Sequence, residues 1–259
     1  MNPAGALALK LVLTPVLVGA ASLAGRRWGS AVSGWLIGIP FTSAPIAFFL
    51  ALDPGPAFAA RAAAGTMAGA ISQAAFCLAY AWAAQRWGWA ASLLAATFGF
   101  AVATTVLVMV VYPPPSYLVV IFVVLVVALF LMPDQVKPSG PAPAFPRWDL
   151  PARMIVATAF VLGLTAAAPL LGPRLAGLLA PFPLYGAVLA VFAHRIQGEG
   201  AAAGVMRGLL LGLFAFASFF AVLATTLERD IALAFILAIA VGLGVQAISL
   251  AVGRRLGLA

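Results

Sequence analysis

The chain has 259 residues, of which 65% are hydrophobic and 8% charged, with 14 Lys+Arg against 6 Asp+Glu. A soluble domain carries about 25% charged residues, and a soluble chain of this length needs a polar surface that these residues cannot supply. Disorder is excluded by the same figures, because unfolded chains are charge-rich and poor in apolar residues.

The sequence thus reads as an all-α, polytopic membrane protein. Its net charge of +8 does not indicate a nucleic-acid binder, because no basic run exceeds the doublets Arg26–Arg27 and Arg254–Arg255. The single Cys77 excludes an intramolecular disulfide, and one cysteine with one histidine, His194, leaves no Cys/His metal site. No cofactor and no metal is expected.

A helix needs about 20 apolar residues to cross the hydrocarbon core. Nine spans are expected in chain order, over 4–24, 31–52, 62–84, 89–111, 116–132, 152–171, 175–193, 201–226 and 231–252. The first reads as a span and not as a signal peptide, because Arg26–Arg27 follow it instead of preceding it. The fifth is the shortest and follows the tight turn Pro113-Pro114-Pro115. Between the fifth and sixth, Pro133 to Leu150 is the one long connection, rich in proline and polar residues.

The chain repeats itself. Ala62-Ala63-Ala64-Gly65-Thr66-Met67-Ala68-Gly69 opens span three, and Ala201-Ala202-Ala203-Gly204-Val205-Met206-Arg207-Gly208 opens span eight; six of these eight positions are identical. One helix earlier, Gly34 and Pro40 answer Gly177 and Pro183, six residues apart in both cases. Leu23 to Arg27 likewise answers Leu170 to Arg174. Three blocks in the same order indicate a duplication. The expected organisation is a four-helix repeat over 1–112, a linker helix and loop over 113–150, and a second four-helix repeat over 151–259. Four spans plus one is an odd number, so the second repeat enters the membrane inverted.

Charge agrees with nine spans. One face then receives Arg26, Arg27, Arg86, Lys137, Arg147, Arg153, Arg195, Arg207, Arg254 and Arg255, and the other Lys10, Arg61, Arg174 and Arg229. The positive-inside rule places the C-terminus in the cytoplasm and the N-terminus outside. Trp28, Trp87, Trp89 and Trp148 fall on the basic side, and Tyr112 and Tyr117 on the other, as interfacial belts do.

Ala176-Gly177-Leu178, followed by Phe182-Pro183-Leu184-Tyr185 and a Gly-rich helix, resembles the GlpM-like family of small four-helix bacterial inner-membrane proteins. The family pattern is similar to Ala-Gly-Leu, three residues, then Phe-Pro-Thr-Phe. This chain has Leu184 at the threonine and Ala190 where the family tends to have histidine; the first half keeps Gly34, Pro40 and the general layout. The resemblance implies an inner-membrane location and a four-helix unit, here as a tandem inverted fusion. It also implies a link to exopolysaccharide production.

In inverted-repeat transporters, ligands bind near the midplane where Gly/Pro-interrupted helices of the two halves meet. Spans two and seven match, with Pro40, Thr42, Ser43 and Pro45 in one and Pro181, Pro183, Tyr185 and Gly186 in the other. Proline removes a backbone donor and frees a carbonyl one turn earlier, so polar groups must be satisfied by protein or water. Half-helix N-termini there favour an anionic or carbonyl-bearing group. The plainer alternative is a pair of structural proline kinks.

Gln73 joins the candidate substrate-binding set, although Gln73, Ser72, Thr104, Thr105 and Gln246 also read as interhelical hydrogen-bonding groups. Gly65, Gly69, Gly204 and Gly208 form small-residue faces for close packing. Met67 and Met206 read as core, Arg207 as snorkelling to the interface, and His194 as interfacial.

All six acids fall in loops or at span ends, which disfavours a proton-coupled cation exporter. No phosphate loop and no Ser/His/Asp or paired-carboxylate arrangement can be assembled, so the chain is not expected to be an enzyme. The expected function is passage of a small neutral or anionic substrate, or a lipid-linked molecule, through the repeat interface. The alternative is a non-transporting scaffold or assembly factor for an envelope or exopolysaccharide complex. Membrane lipid is the expected partner and nucleic acid is not; the chain would act as a fused pseudo-dimer or as a homo-oligomer.

Overall fold

A computed structural model describes residues 3–40, 43–52, 55–109, 117–133, 146–159, 162 and 181–256. Among the described residues every regular element is a helix and there is no strand. In chain order these are α1 (Pro3–Trp28), α2 (Ser30–Ile37), α3 (Ser43–Leu52), α4 (Pro56–Ala84), α5 (Trp89–Val108) and α6 (Tyr117–Leu131). Then follow α7 (149–159), α8 (Leu184–Gln197), α9 (Glu199–Thr226) and α10 (Ile231–Arg255).

Four helices, α4, α5, α9 and α10, are long and apolar enough to cross a membrane. Side-chain size divides them into inner and outer pairs. Alanine and glycine crowd α4 and the first half of α9, and small side chains let helix axes approach closely. These two helices pack on one another as the centre of the molecule. Within their most apolar stretches, 56% of α4 and 78% of α9 are buried, against 17% of α5 and 22% of α10. The outward faces of the outer pair carry Leu94, Phe98, Val102 and Val106 on α5, and Ile236, Ile239 and Leu243 on α10. Such continuous apolar stripes mark a surface that needs a nonaqueous partner. The chain is a multi-pass helical membrane protein.

Local chemistry sets the helix ends. Gly29 turns the chain between α1 and α2 at φ 100°, and Gly198 does so between α8 and α9 at φ 91°. Side chains other than glycine rarely adopt this region. The Gly198 amide also donates to the His194 carbonyl at 3.1 Å, closing α8. Asp230 caps α10 by accepting the Leu233 amide at 2.7 Å. Both central helices hold the end of α6: the Leu131 carbonyl accepts the Trp82 indole N–H at 2.9 Å, and the Pro133 carbonyl accepts the Arg207 guanidinium at 2.8 Å.

Several expectations change. Span two is two helices with residues 38–40 non-helical between them, and in the described part of span seven residues 181–183 are non-helical before α8 starts at Leu184. The helix of span three starts at Pro56 and not near residue 62, because proline at the first helical position is pre-set for the turn. The described α6 has 15 residues, about 22 Å of helix, short of a hydrocarbon core of about 30 Å. Gly177, much of span six and the start of span seven (175–180) lie outside the described residues, as do Tyr112 and the greater part of the long connection.

Arg207 is 6% exposed, and its guanidinium donates to the Pro133 carbonyl at the end of α6. Asp149 does open a helix, as expected for a span end, but it is fully buried between Arg26 (2.9 Å) and Arg153 (2.8 Å). His194 is half-buried, its Nδ1 lying 3.5 Å from the Tyr80 hydroxyl. Met67 and Met206 are fully buried. Gly69, Gly204 and Gly208 sit in close packing contacts, whereas Gly65 faces open space.

Candidate functional site

The first break begins where α2 ends at Ile37. The Gly38 amide reaches the Trp35 carbonyl at 3.1 Å and Ile39 reaches Leu36 at 3.3 Å, tightening the last turn into three-residue bonds. Pro40 has no amide to continue the pattern and is buried; its carbonyl accepts the Ala44 amide at 2.9 Å, which starts α3. Ser43 opens α3, half-buried, and Pro45 lies in its first turn. Thr42 lies outside the described residues.

The carbonyl at this break is satisfied from the far end of the chain. Gln246 on α10 donates its Nε2 to the Trp35 carbonyl at 2.8 Å. Trp35 returns the contact, its indole N–H lying 3.2 Å from both the Gln246 carbonyl and the Ser249 hydroxyl. Gln246 is 3% exposed, and its Oε1 has no hydrogen-bond partner among the described residues. A buried amide oxygen without a donor costs about 1–3 kcal/mol. The site therefore holds an acceptor available to a donor group.

Glycine makes the approach possible. A Cβ on Gly34 would overlap the Val205 carbonyl, and one on Gly208 the Ala31 carbonyl. One on Gly212 would fall 2.6 Å from the Gly38 Cα. Helices α2 and α9 thus cross backbone to backbone, with the break lying on α9.

The second break precedes α8. Pro183 takes φ −79° and ψ 62°, and the Leu184 amide donates to the Phe182 carbonyl at 2.8 Å. This is an inverse γ-turn. Pro183 is buried, and its carbonyl accepts the first helical bond from Ala187 at 2.8 Å. Pro181 is half-buried and packs toward α4, where a Cβ on Gly69 would lie 2.8 Å from its ring. Phe182 stands edge-on to Phe76 of α4 (5.5 Å) and Phe100 of α5 (5.3 Å). Tyr185 is half-buried and shares a 3.0 Å hydrogen bond with Thr14 of α1. Gly186 is buried against the Leu209 side chain.

The first break therefore sits on α9 and α10, and the second on α4 and α5. Both reach Leu209, whose amide lies under Gly34 and whose side chain lies under Gly186. No hydrogen bond among the described residues joins Pro40 or Ser43 to Pro181, Pro183 or Tyr185. Gln73 is buried on α4, and its side chain makes no hydrogen bond among the described residues. Its neighbour Ser72 instead accepts from Thr104 of α5 at 2.9 Å, a link between helices.

Sequence reading missed the partners of the site. Thr14 gave no signal beyond being a polar residue beside Pro15. Trp35 read only as part of a repeated block, although a tryptophan within an apolar span needs an acceptor for its N–H. Gln246 did give a signal, as an amide in an otherwise apolar helix, but its association with the break is a tertiary fact. No protein-family model, curated protein or solved structure matches the chain.

Proposed function

We propose that the protein is a transporter or channel built from two inverted four-helix units, and that its substrate passes where the two broken segments meet the central helices. The observation that carries this reading is the exchange of breaks. The break in the first half lies on α9 and α10, while the break before α8 lies on α4 and α5. Reciprocal insertion of this kind is what a two-fold axis in the membrane plane would generate. In this reading α6 is the fifth of nine spans and the one that inverts the second half, and each half is a GlpM-like unit of the bacterial inner membrane.

The chemistry at the breaks defines the substrate class. Gln246 Oε1 offers an acceptor, and the Tyr185 hydroxyl can donate or accept. Among the described residues no carboxylate lies at either break, so a small neutral or anionic molecule, or a lipid-linked one, fits better than a cation. The reading assigns no chemical conversion to the chain. A scaffold would use the same prolines only as dry, packed kinks.

Cysteine labelling separates the two. Cys77 is fully buried, so a Cys77→Ala background provides a blank. Tyr185→Cys and Gln246→Cys should then react with a membrane-impermeant anionic methanethiosulfonate in opened vesicles. Leu213→Cys, fully buried on α9, should stay unmodified. If positions 185 and 246 are as inert as 213, the interface is dry and the scaffold reading replaces this one.

A further inference from the structure

At one end of α4 the surface opens into a groove of about 310 Å³ lined by Ala79, Trp82, Ala83, Arg86, Trp87 and Ala95. Positions 79, 82 and 83 share one face of α4, following the helical repeat, and Arg86 and Trp87 follow in the turn after it. Ala95 belongs to α5 and forms the opposite wall. Alanine keeps the floor low, and the two indoles rise from it, with Trp82 54% and Trp87 57% exposed.

The groove is held in shape. Trp82 cannot swing freely, because its indole N–H is bonded to the Leu131 carbonyl at the end of α6. The turn after α4 is fixed by the Arg86 and Trp87 amides, which donate to the Ala83 carbonyl at 3.1 and 2.9 Å. The Ser92 hydroxyl of α5 donates toward the Gly88 and Trp87 carbonyls at 3.0 and 3.2 Å, tying the turn to the next helix.

Its charge has no internal answer. Arg86 is exposed, and neither ion pair among the described residues involves it. A second cation, Arg195 of α8, stands 5.5 Å over the ring of Trp89, the residue that opens α5. The groove is thus apolar along its length and positive at its end. Its end lies at the level where tryptophan marks the membrane interface.

We propose that this groove binds an anionic phospholipid, with one acyl chain along Ala79, Ala83 and Ala95 and the phosphate at Arg86 between Trp82 and Trp87. The charge complementarity is specific in sign. A zwitterionic lipid would bring a compensating ammonium toward the same arginine, whereas a phosphatidylglycerol headgroup brings none. One basic residue near the surface is worth about fivefold in lipid preference. The site is independent of the transport reading, since it faces lipid on α4 and α5 and shares no residue with either break.

Tryptophan quenching by brominated acyl chains tests it, using the full chain in vesicles of phosphatidylcholine with or without phosphatidylglycerol. Brominated phosphatidylglycerol should quench with about fivefold higher apparent affinity than brominated phosphatidylcholine. Arg86→Gln should bring the ratio to one, while Arg255→Gln, at the exposed end of α10, should leave it unchanged. Trp82→Phe with Trp87→Phe should remove the phosphatidylglycerol-selective component. The proposal is overturned if wild type shows no preference, if Arg86→Gln retains it, or if the selective quenching survives loss of both indoles. Displacement by millimolar glycerol phosphate would also overturn it, showing a free-phosphate site in place of a lipid site.

Discussion

Asp149, Arg153 and Arg207 are charged side chains that the fold takes inside, at 0%, 5% and 6% exposure. Each is answered by a group distant in sequence or by its own helix. Asp149 bridges Arg26 on α1 and Arg153 one turn along α7, and Arg153 lies 5.2 Å over the Phe192 ring of α8. Charge scarcity was legible in the sequence, and so was the position of Asp149 at a helix start. Its burial was not, because nothing local announces that the end of α1 will deliver a guanidinium to it. Removing one member of a buried ionic group leaves the others uncompensated, at a cost of about 3–5 kcal/mol. Asp149→Asn should therefore destabilise the protein by about 3 kcal/mol, toward the lower end because Arg26 keeps access to solvent. Adding Arg153→Met should recover part of the loss. Thermal unfolding in detergent, followed by tryptophan fluorescence, reads both; an unaltered midpoint for the single variant would show the cluster to be dispensable.

The helix elements were legible in proportion to their regularity. The long apolar runs of α4, α5, α9 and α10 announced themselves, and Pro40 and Pro183 marked the breaks, since proline ends a helix for a local steric reason. What the sequence did not reveal is which helix each glycine serves. Gly65 and Gly69 occupy the same repeated block, yet only Gly69 meets a neighbour, and Gly208 meets the backbone of α2 from the other half. In lipid, apolar faces do not distinguish core from surface, so contact partners are set by shape alone. The crossing of α2 and α9 has backbone on both sides and cannot yield to a methyl group. Gly208→Ala is expected to cost about 1–3 kcal/mol, at the upper end of overpacking. Gly65→Ala should stabilise, if anything, by up to about 1 kcal/mol through helix propensity. Chemical denaturation of the two variants side by side checks the contrast; equal effects would mean that the α2–α9 crossing is not close-packed.

At the scale of the whole molecule, the duplication read from Ala62–Gly69 and Ala201–Gly208 places its two copies on α4 and α9, the two central helices. The short linker α6 is fastened to both through Trp82 and Arg207. If α6 spans between two four-helix units, as proposed, the halves must face opposite ways. Ten basic residues against four had indicated the same orientation from sequence, while the exchange of the broken segments was invisible there because it needs the halves to be docked. The transport reading depends on that inversion, because only an inverted pair brings equivalent breaks to a common depth. Dual reporter tagging of the two termini in intact cells tests it most directly. A periplasmic N-terminus with a cytoplasmic C-terminus is the expected result, and both termini on one side would contradict the inverted architecture.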